Sequence, residues 1–172
     1  NTEYVAHDLV SLLLPWRTTK HIPQILYIPV STAVANAASS LTQTGLPAKK
    51  TVAIHTGGRG SKRLSLDVFA SIGKTLTNRN IPVLFFFGPD EKDDMPVFRN
   101  NGFNCLCPKS VEEFGGYLPH LIHFISCDTG PLHMAAGANV PTISIFINTS
   151  AVQYAPRGDI HKTVGFPNSH IS

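Results

Sequence analysis

At 172 residues, with 42% hydrophobic residues and a formal net charge of +3, the chain has the composition of a soluble globular protein with room for one sizeable core and an appendage. Its lysines and arginines are scattered rather than striped, which argues against a nucleic-acid partner, and a small anionic ligand fits this charge as well as any other. No apolar run approaches the roughly 20 residues that cross a bilayer, and a start at Asn1 with neither methionine nor leader reads as a fragment lacking its N-terminal part.

The first 20 residues hold "HDLVSLLLPW", a short amphipathic helix ended by Pro15. "HIPQILYIPVST" reads as an extended connector, since proline disfavours both a helix and a central strand. "AVANAASSLTQTGLP" predicts a helix closed by Gly45 and Pro47. A regular alternation begins at Thr51. "TVAIHT" is a strand, followed by the basic glycine loop "GGRGSKR" and a helix over "SLDVFASIGKTLTNRN". Next come the apolar strand "IPVLFFFG" and the polar loop "PDEKDDMPVFRNNG" with a short helix. "FNCLC" is a strand, "SVEEFGGYL" a helix capped by Ser110 with Glu113 at the capping-box position, and "LIHFISC" a strand. The "TGPLHMAAGA" helix, the strand "VPTISIF", a long loop and a last weak strand near "KTVGF" complete the order.

Alternating strands and helices imply right-handed β-α-β units, and all-apolar strands imply a parallel sheet covered on both faces. The expected fold is therefore α/β, a Rossmann-like doubly wound parallel sheet from about residue 50 onward, preceded by a connector. Cys105, Cys107 and Cys127 make an odd count without C-x-x-C spacing. They read as buried free thiols in a reducing compartment rather than a zinc site.

Ligands of open α/β sheets sit outside the carboxyl ends of the strands, and two loops there favour phosphate. In "HTGGRGSKR", Gly57, Gly58 and Gly60 can present backbone N–H groups, while Lys62 with Arg59 or Arg63 adds positive charge. The loop satisfies neither the Walker A pattern nor G-x-G-x-x-G. In "CDTGPLH", Asp128 or Thr129 can cap a helix, Gly130 permits close approach, Pro131 suits the first helical position, and His133 falls in the first turn. A helix N-terminus at a strand end is an anion-binding geometry. A third loop, "FFGPDEKDD", offers Asp90 or Glu91 to ribose hydroxyls.

The runs "HTGGRGSKRLSLDVFASIGKTL", "FFGPDE", "VEEFGGYLPHLIHFISCDTGPLHMAAGANVPTISIF" and "YAPRG" together resemble the C-terminal half of family 9 glycosyltransferases, the heptosyltransferases of lipopolysaccharide core assembly, which have a two-domain GT-B architecture. The resemblance covers roughly residues 50 to 160 and is most specific in "DTGPLHMAA". It implies that residues 50–172 are the nucleotide-sugar-binding Rossmann-like domain and residues 1–49 an interdomain helix and connector. It further implies a donor, usually ADP-heptose, held by Gly57, Gly58, Lys62, Glu91, Asp128, Thr129, Gly130 and His133. The nucleotide-sugar is a substrate, and neither a cofactor nor a metal is expected, as no DxD motif is present. The implied partners are that donor and a glycan or lipopolysaccharide acceptor held by the missing domain, which would also supply the general base. Residues 1–172 alone would then bind donor without turnover, in the cytoplasm or peripherally at the inner face of the cell membrane. Leu64 and Ser65 replace the usual Trp-Pro continuation after the lysine, Gly57 and Gly58 replace hydroxyl residues, and Ile147-Asn148-Thr149 replaces a Gly-Pro-Thr turn. A UDP- or GDP-sugar donor and a noncatalytic nucleotide-binding module are the alternatives.

Overall fold

Every residue of the segment Thr51–His55 (β1) is buried, because helices cover both faces of the sheet it helps to form. The same holds for Val83–Phe86 (β2), which supplies the aromatic centre of the molecule. In the computed structural model, which describes residues 27–165, the further strands are Asn104–Leu106 (β3), Leu121–Cys127 (β4), Thr142–Phe146 (β5) and Lys162–Gly165 (β6). All pair in parallel, in the spatial order β3-β2-β1-β4-β5-β6. That order is the doubly wound Rossmann arrangement expected from the alternation of elements.

The helices are Ser31–Gln43 (α1), Leu66–Thr77 (α2), Met95–Asn100 (α3), Val111–Tyr117 (α4), Gly130–Gly137 (α5) and Ala151–Tyr154 (α6). Side chains alternate across a strand, and the core divides accordingly. Ala53, Leu84, Phe86 and Phe124 pack on one face with Ala37 and Leu41 of α1, Phe114 and Tyr117 of α4, and Ala135 of α5. Val52, Ile54, Phe85 and Ile125 point to the other face, against Phe69 of α2 and Phe98 of α3. Phe85 and Phe98 have ring centroids 4.6 Å apart, and Phe86 meets Phe114 edge-on at 5.2 Å. A Cβ at Gly73 of α2 would stand 2.8 Å from the Phe85 ring, so the glycine sets how closely that helix approaches the sheet.

Several local expectations are refined. The helix proposed within 1–20 lies outside the described residues. The proline-rich connector ends sooner than its sequence suggests, because α1 starts at Ser31. Gly45, at φ +71°, closes α1 as expected. The loop after β2 winds into a 3₁₀ turn over Pro89–Asp94 and then α3. The long loop after β5 contains α6. Ser110 caps α4 through the Glu113 N–H, but the Glu113 carboxylate accepts from Lys109 N–H, one residue before the position a capping box requires. Cys105 and Cys127 are buried free thiols, whereas Cys107 is only half-buried.

Candidate functional site at the switch point of the sheet

The chain winds one way from β1 towards β2 and β3, and the other way from β4 towards β5 and β6. The loops leaving the carboxyl ends of the adjacent strands β1 and β4 therefore diverge, and such sheets open a crevice at that point. Both phosphate-favouring loops of the sequence lie there.

After β1 the chain passes through Thr56–Arg59 into a 3₁₀ turn over Gly60–Lys62. Gly60 adopts φ +53°, a left-handed conformation that glycine tolerates best. The N–H groups of Gly57, Gly58 and Arg59 have no backbone acceptor among the described residues. Gly57 has a packing duty as well, since a Cβ there would come 2.3 Å from Cε1 of His55. Gly58 lies against Arg63, whose Cβ is 3.0 Å from the position a Gly58 Cβ would take. Of Arg59 and Arg63, the alternatives beside Lys62, Arg63 is committed within the protein. Its Nε donates to the Thr56 carbonyl at 2.7 Å and its Nη2 to Asp94 Oδ2 at 2.6 Å, so it pins the β1 loop to the β2 loop. Lys62 remains as the cation that faces the β4 loop.

After β4, Thr129 has the extended backbone of a residue entering a helix, φ −142° and ψ 162°, yet neither it nor Asp128 caps α5 through its side chain. The Thr129 hydroxyl is bonded to Ser126 Oγ at 2.9 Å, and Asp128 is engaged elsewhere. Pro131 is the second helical residue rather than the first, and like any proline has no N–H to orphan. The Gly130 N–H has no backbone acceptor among the described residues, and a Cβ at Gly130 would have nothing within 4 Å. Leu132 and His133 N–H both go to the Thr129 carbonyl, at 3.1 and 3.4 Å, so Gly130 supplies the one backbone N–H left without a backbone acceptor at the positive end of α5.

Asp128 joins the loops electrostatically. Its Oδ1 lies 3.3 Å from His133 Nε2 and its Oδ2 3.9 Å from Lys62 Nζ. The hydrogen bond from His133 is the main cause that holds its carboxyl below the ordinary aspartate range. Burial opposes it as the next largest effect, and the Thr149 hydroxyl and the His133 and Lys62 charges add smaller contributions in the lowering direction. Lys62 is 44% exposed and Asp128 12%, so water screens the lysine and the pair is a weak tether rather than a fixed bridge.

Glu91 sits at the neighbouring strand end. Its Oε2 accepts from the Gly88 N–H at 3.0 Å, and its Oε1 lies 3.2 Å from the position a Gly57 Cβ would take. The structure thus gathers Lys62, Asp128, Thr129, Gly130 and His133 at the carboxyl ends of β1 and β4, with Gly57, Gly58 and Glu91 along the β1 and β2 edge. Residues beyond the motif also belong here. Asn148 Nδ2 donates to the Ser61 carbonyl at 3.0 Å, tying the β5 loop to the β1 loop. His55 and Ser126 lie buried below, where their place at the carboxyl ends of apolar strands was the available signal. Among the described residues no group of three or more His, Cys, Asp or Glu side chains could hold a metal ion.

Sheet order and strand-end loops define an α/β protein of the Rossmann-like class, with Lys62, Asp128 and the start of α5 brought together at its switch point. The model of glycosyltransferase family 9 (heptosyltransferase) matches residues 22–171, and the chain belongs to that family. Lipopolysaccharide heptosyltransferase 3 of Escherichia coli is 30% identical over 96 residues, 51% of this chain and 28% of that protein. A family 9 glycosyl transferase from Veillonella parvula superposes with a TM-score of 0.85 at 16% identity, covering 96% of this chain and 50% of its own. The E. coli heptosyltransferase WaaC with ADP gives a TM-score of 0.73 at 18% identity, covering 98% and 52%. The chain thus spans about half the length of those structures and less of the sequence relative. No helix among the described residues is long and apolar enough to cross a membrane.

Proposed function

We propose that this chain is the donor-binding part of a GT-B glycosyltransferase that moves a heptose from an ADP-sugar to a lipopolysaccharide core or other glycan acceptor, with inversion. The observation that carries the reading is the Gly130 N–H at the start of α5, which has no backbone acceptor among the described residues, with Lys62 3.9 Å from Asp128 beside it. A free backbone N–H at a helix end binds phosphate through a direct hydrogen bond reinforced by the helix dipole. The Gly130 N–H and the dipole of α5, with Lys62, would offset negative charge growing on the departing nucleoside diphosphate, so that charge neutralisation needs no metal. The ADP named with the WaaC structure supports adenine as the base. Glu91, at the end of β2, is the group suited to ribose hydroxyls.

The acceptor hydroxyl needs a base to take its proton as it attacks. We assign that base and the acceptor site to an N-terminal domain, so residues 1–172 alone would bind donor without transferring sugar. On this reading residues 1–49 are the interdomain helix and connector, and the enzyme works in the cytoplasm or at the inner face of the cell membrane. The second reading, a UDP- or GDP-sugar donor, draws on Asn148, which fastens the β5 loop over Ser61.

Calorimetric titration with ADP-heptose, ADP, UDP-sugar and GDP-sugar, repeated on Lys62→Ala and Asp128→Ala, tests both. Selective ADP-species binding weakened by both substitutions is expected. Selective UDP or GDP binding would change the donor, and no binding by a folded chain would overturn the donor-binding role.

A further inference from the structure

Below the two loops lies a polar chain with no task in the binding scheme above. His55, the last residue of β1, is 6% exposed and Ser126 of β4 is fully buried. The sheet register places the two side by side. His55 Nδ1 is 3.4 Å from Ser126 Oγ, and Ser126 Oγ is 2.9 Å from Thr129 Oγ1. Buried polar groups are costly unless satisfied, and the neighbouring positions on both strands are filled by Ile54 and Ile125, which avoid that cost. Gly57 completes the arrangement, since any side chain there would run into the far edge of the imidazole.

A chain of one imidazole nitrogen and two hydroxyls can be polarised in two ways. If Ser126 donates to an unprotonated Nδ1, Thr129 donates its proton to Ser126 and can only accept from a third group. Such a Thr129 repels an anion. If instead the imidazole carries its proton on Nδ1, that N–H donates to Ser126, Ser126 donates to Thr129, and the Thr129 proton is free for a group outside the protein. Burial, helped by the nearby Arg63 charge, keeps the imidazole neutral down to about pH 4, so it has one proton to place and both polarities are open to it.

We infer that His55 and Ser126 are positioning residues: a neutral imidazole–hydroxyl relay in which the Nδ1–H tautomer of His55 turns Thr129 into a hydrogen-bond donor for a phosphate oxygen at the N-terminus of α5. The inference rests on the donor-binding reading and adds to it a cause for the Thr129 hydroxyl being held away from the helix it would otherwise cap. Each bond in the relay strengthens the next by polarisation, so an anion at one end and the tautomer at the other favour one another.

The test is calorimetric titration with ADP of the 172-residue chain and of its Ser126→Ala, His55→Leu and His55→Asn forms, with the melting temperature of each. Asparagine can place an amide group near the position of Nδ1, whereas leucine fills more of the ring's volume and offers no polar atom. Loss of one neutral hydrogen bond predicts about three- to tenfold weaker ADP binding for Ser126→Ala and His55→Leu, with His55→Asn within about twofold of wild type. A purely structural role makes affinity follow melting temperature, with the leucine form ahead of the asparagine form, and that outcome overturns the relay. So does unchanged ADP affinity in all three, which leaves the donor reading intact. A folded wild-type chain that binds neither ADP nor UDP nor GDP ends the donor reading and the relay's service to phosphate together. Nitrogen NMR of the His55 ring then separates the two failures: Ser126→Ala should move the Nδ1 resonance, and an unmoved resonance shows that the relay itself is absent.

Discussion

His55 makes acid stability a quantitative test of the site's architecture. Its imidazole is pushed from 6.5 down to about 4, chiefly by burial and secondarily by the Arg63 charge. The folded protein therefore resists a proton that the unfolded chain accepts readily. Because the folded value is the lower one, the unfolded state binds more protons between pH 6.5 and 4, and stability falls as pH drops through that window. Integrating the linkage from pH 7.5 to 4 gives a loss of about 3 kcal/mol attributable to this residue. Replacing it removes the titration but leaves the other acid-sensitive groups, Asp128 and His161, in both proteins. Urea unfolding of wild type and His55→Leu should accordingly show a stability difference that shifts by about 3 kcal/mol in the variant's favour between pH 7.5 and 4. At a slope of about 2 kcal/mol per molar urea, the midpoints should move relative to one another by roughly 1.5 M. Parallel pH profiles for the two proteins would refute the buried neutral imidazole.

Further outcomes follow from particular contacts. Gly130→Ala places a methyl group in open space, so the melting temperature should change little while ADP affinity falls at least about tenfold if phosphate rests on that backbone; unchanged affinity by calorimetry would place the ligand elsewhere. Gly57→Ala forces a Cβ onto the His55 ring and should cost about 1–3 kcal/mol in chemical denaturation. Arg63→Met breaks the bonds to Thr56 and Asp94 and should destabilise by about 1.5–3 kcal/mol. A double-mutant cycle with Asp94→Ala isolates the part carried by the pair, and no coupling in that cycle would mean that the two loops are held by other contacts.

The chain's own sequence determined the sheet and its elements. Alternation of apolar runs with helical periodicity leaves a parallel sheet few alternatives, and the strands around Ile54, Phe85 and Phe124 are apolar enough to demand cover on both faces. The "DTGPLH" run likewise marked a helix start at a strand end, because proline fixes its own φ at a helix-compatible value whatever surrounds it. Tertiary structure decided what individual polar groups do. Local sequence offers Asp128 or Thr129 as a cap and Arg59 or Arg63 as a phosphate cation, yet Thr129 bonds Ser126 and Arg63 bonds Asp94. A helix boundary depends on neighbours in the chain, whereas a hydroxyl or guanidinium goes to whichever partner the fold brings closest. Ser126 stands beside His55 only because β1 and β4, 71 residues apart at that contact, lie side by side in the sheet.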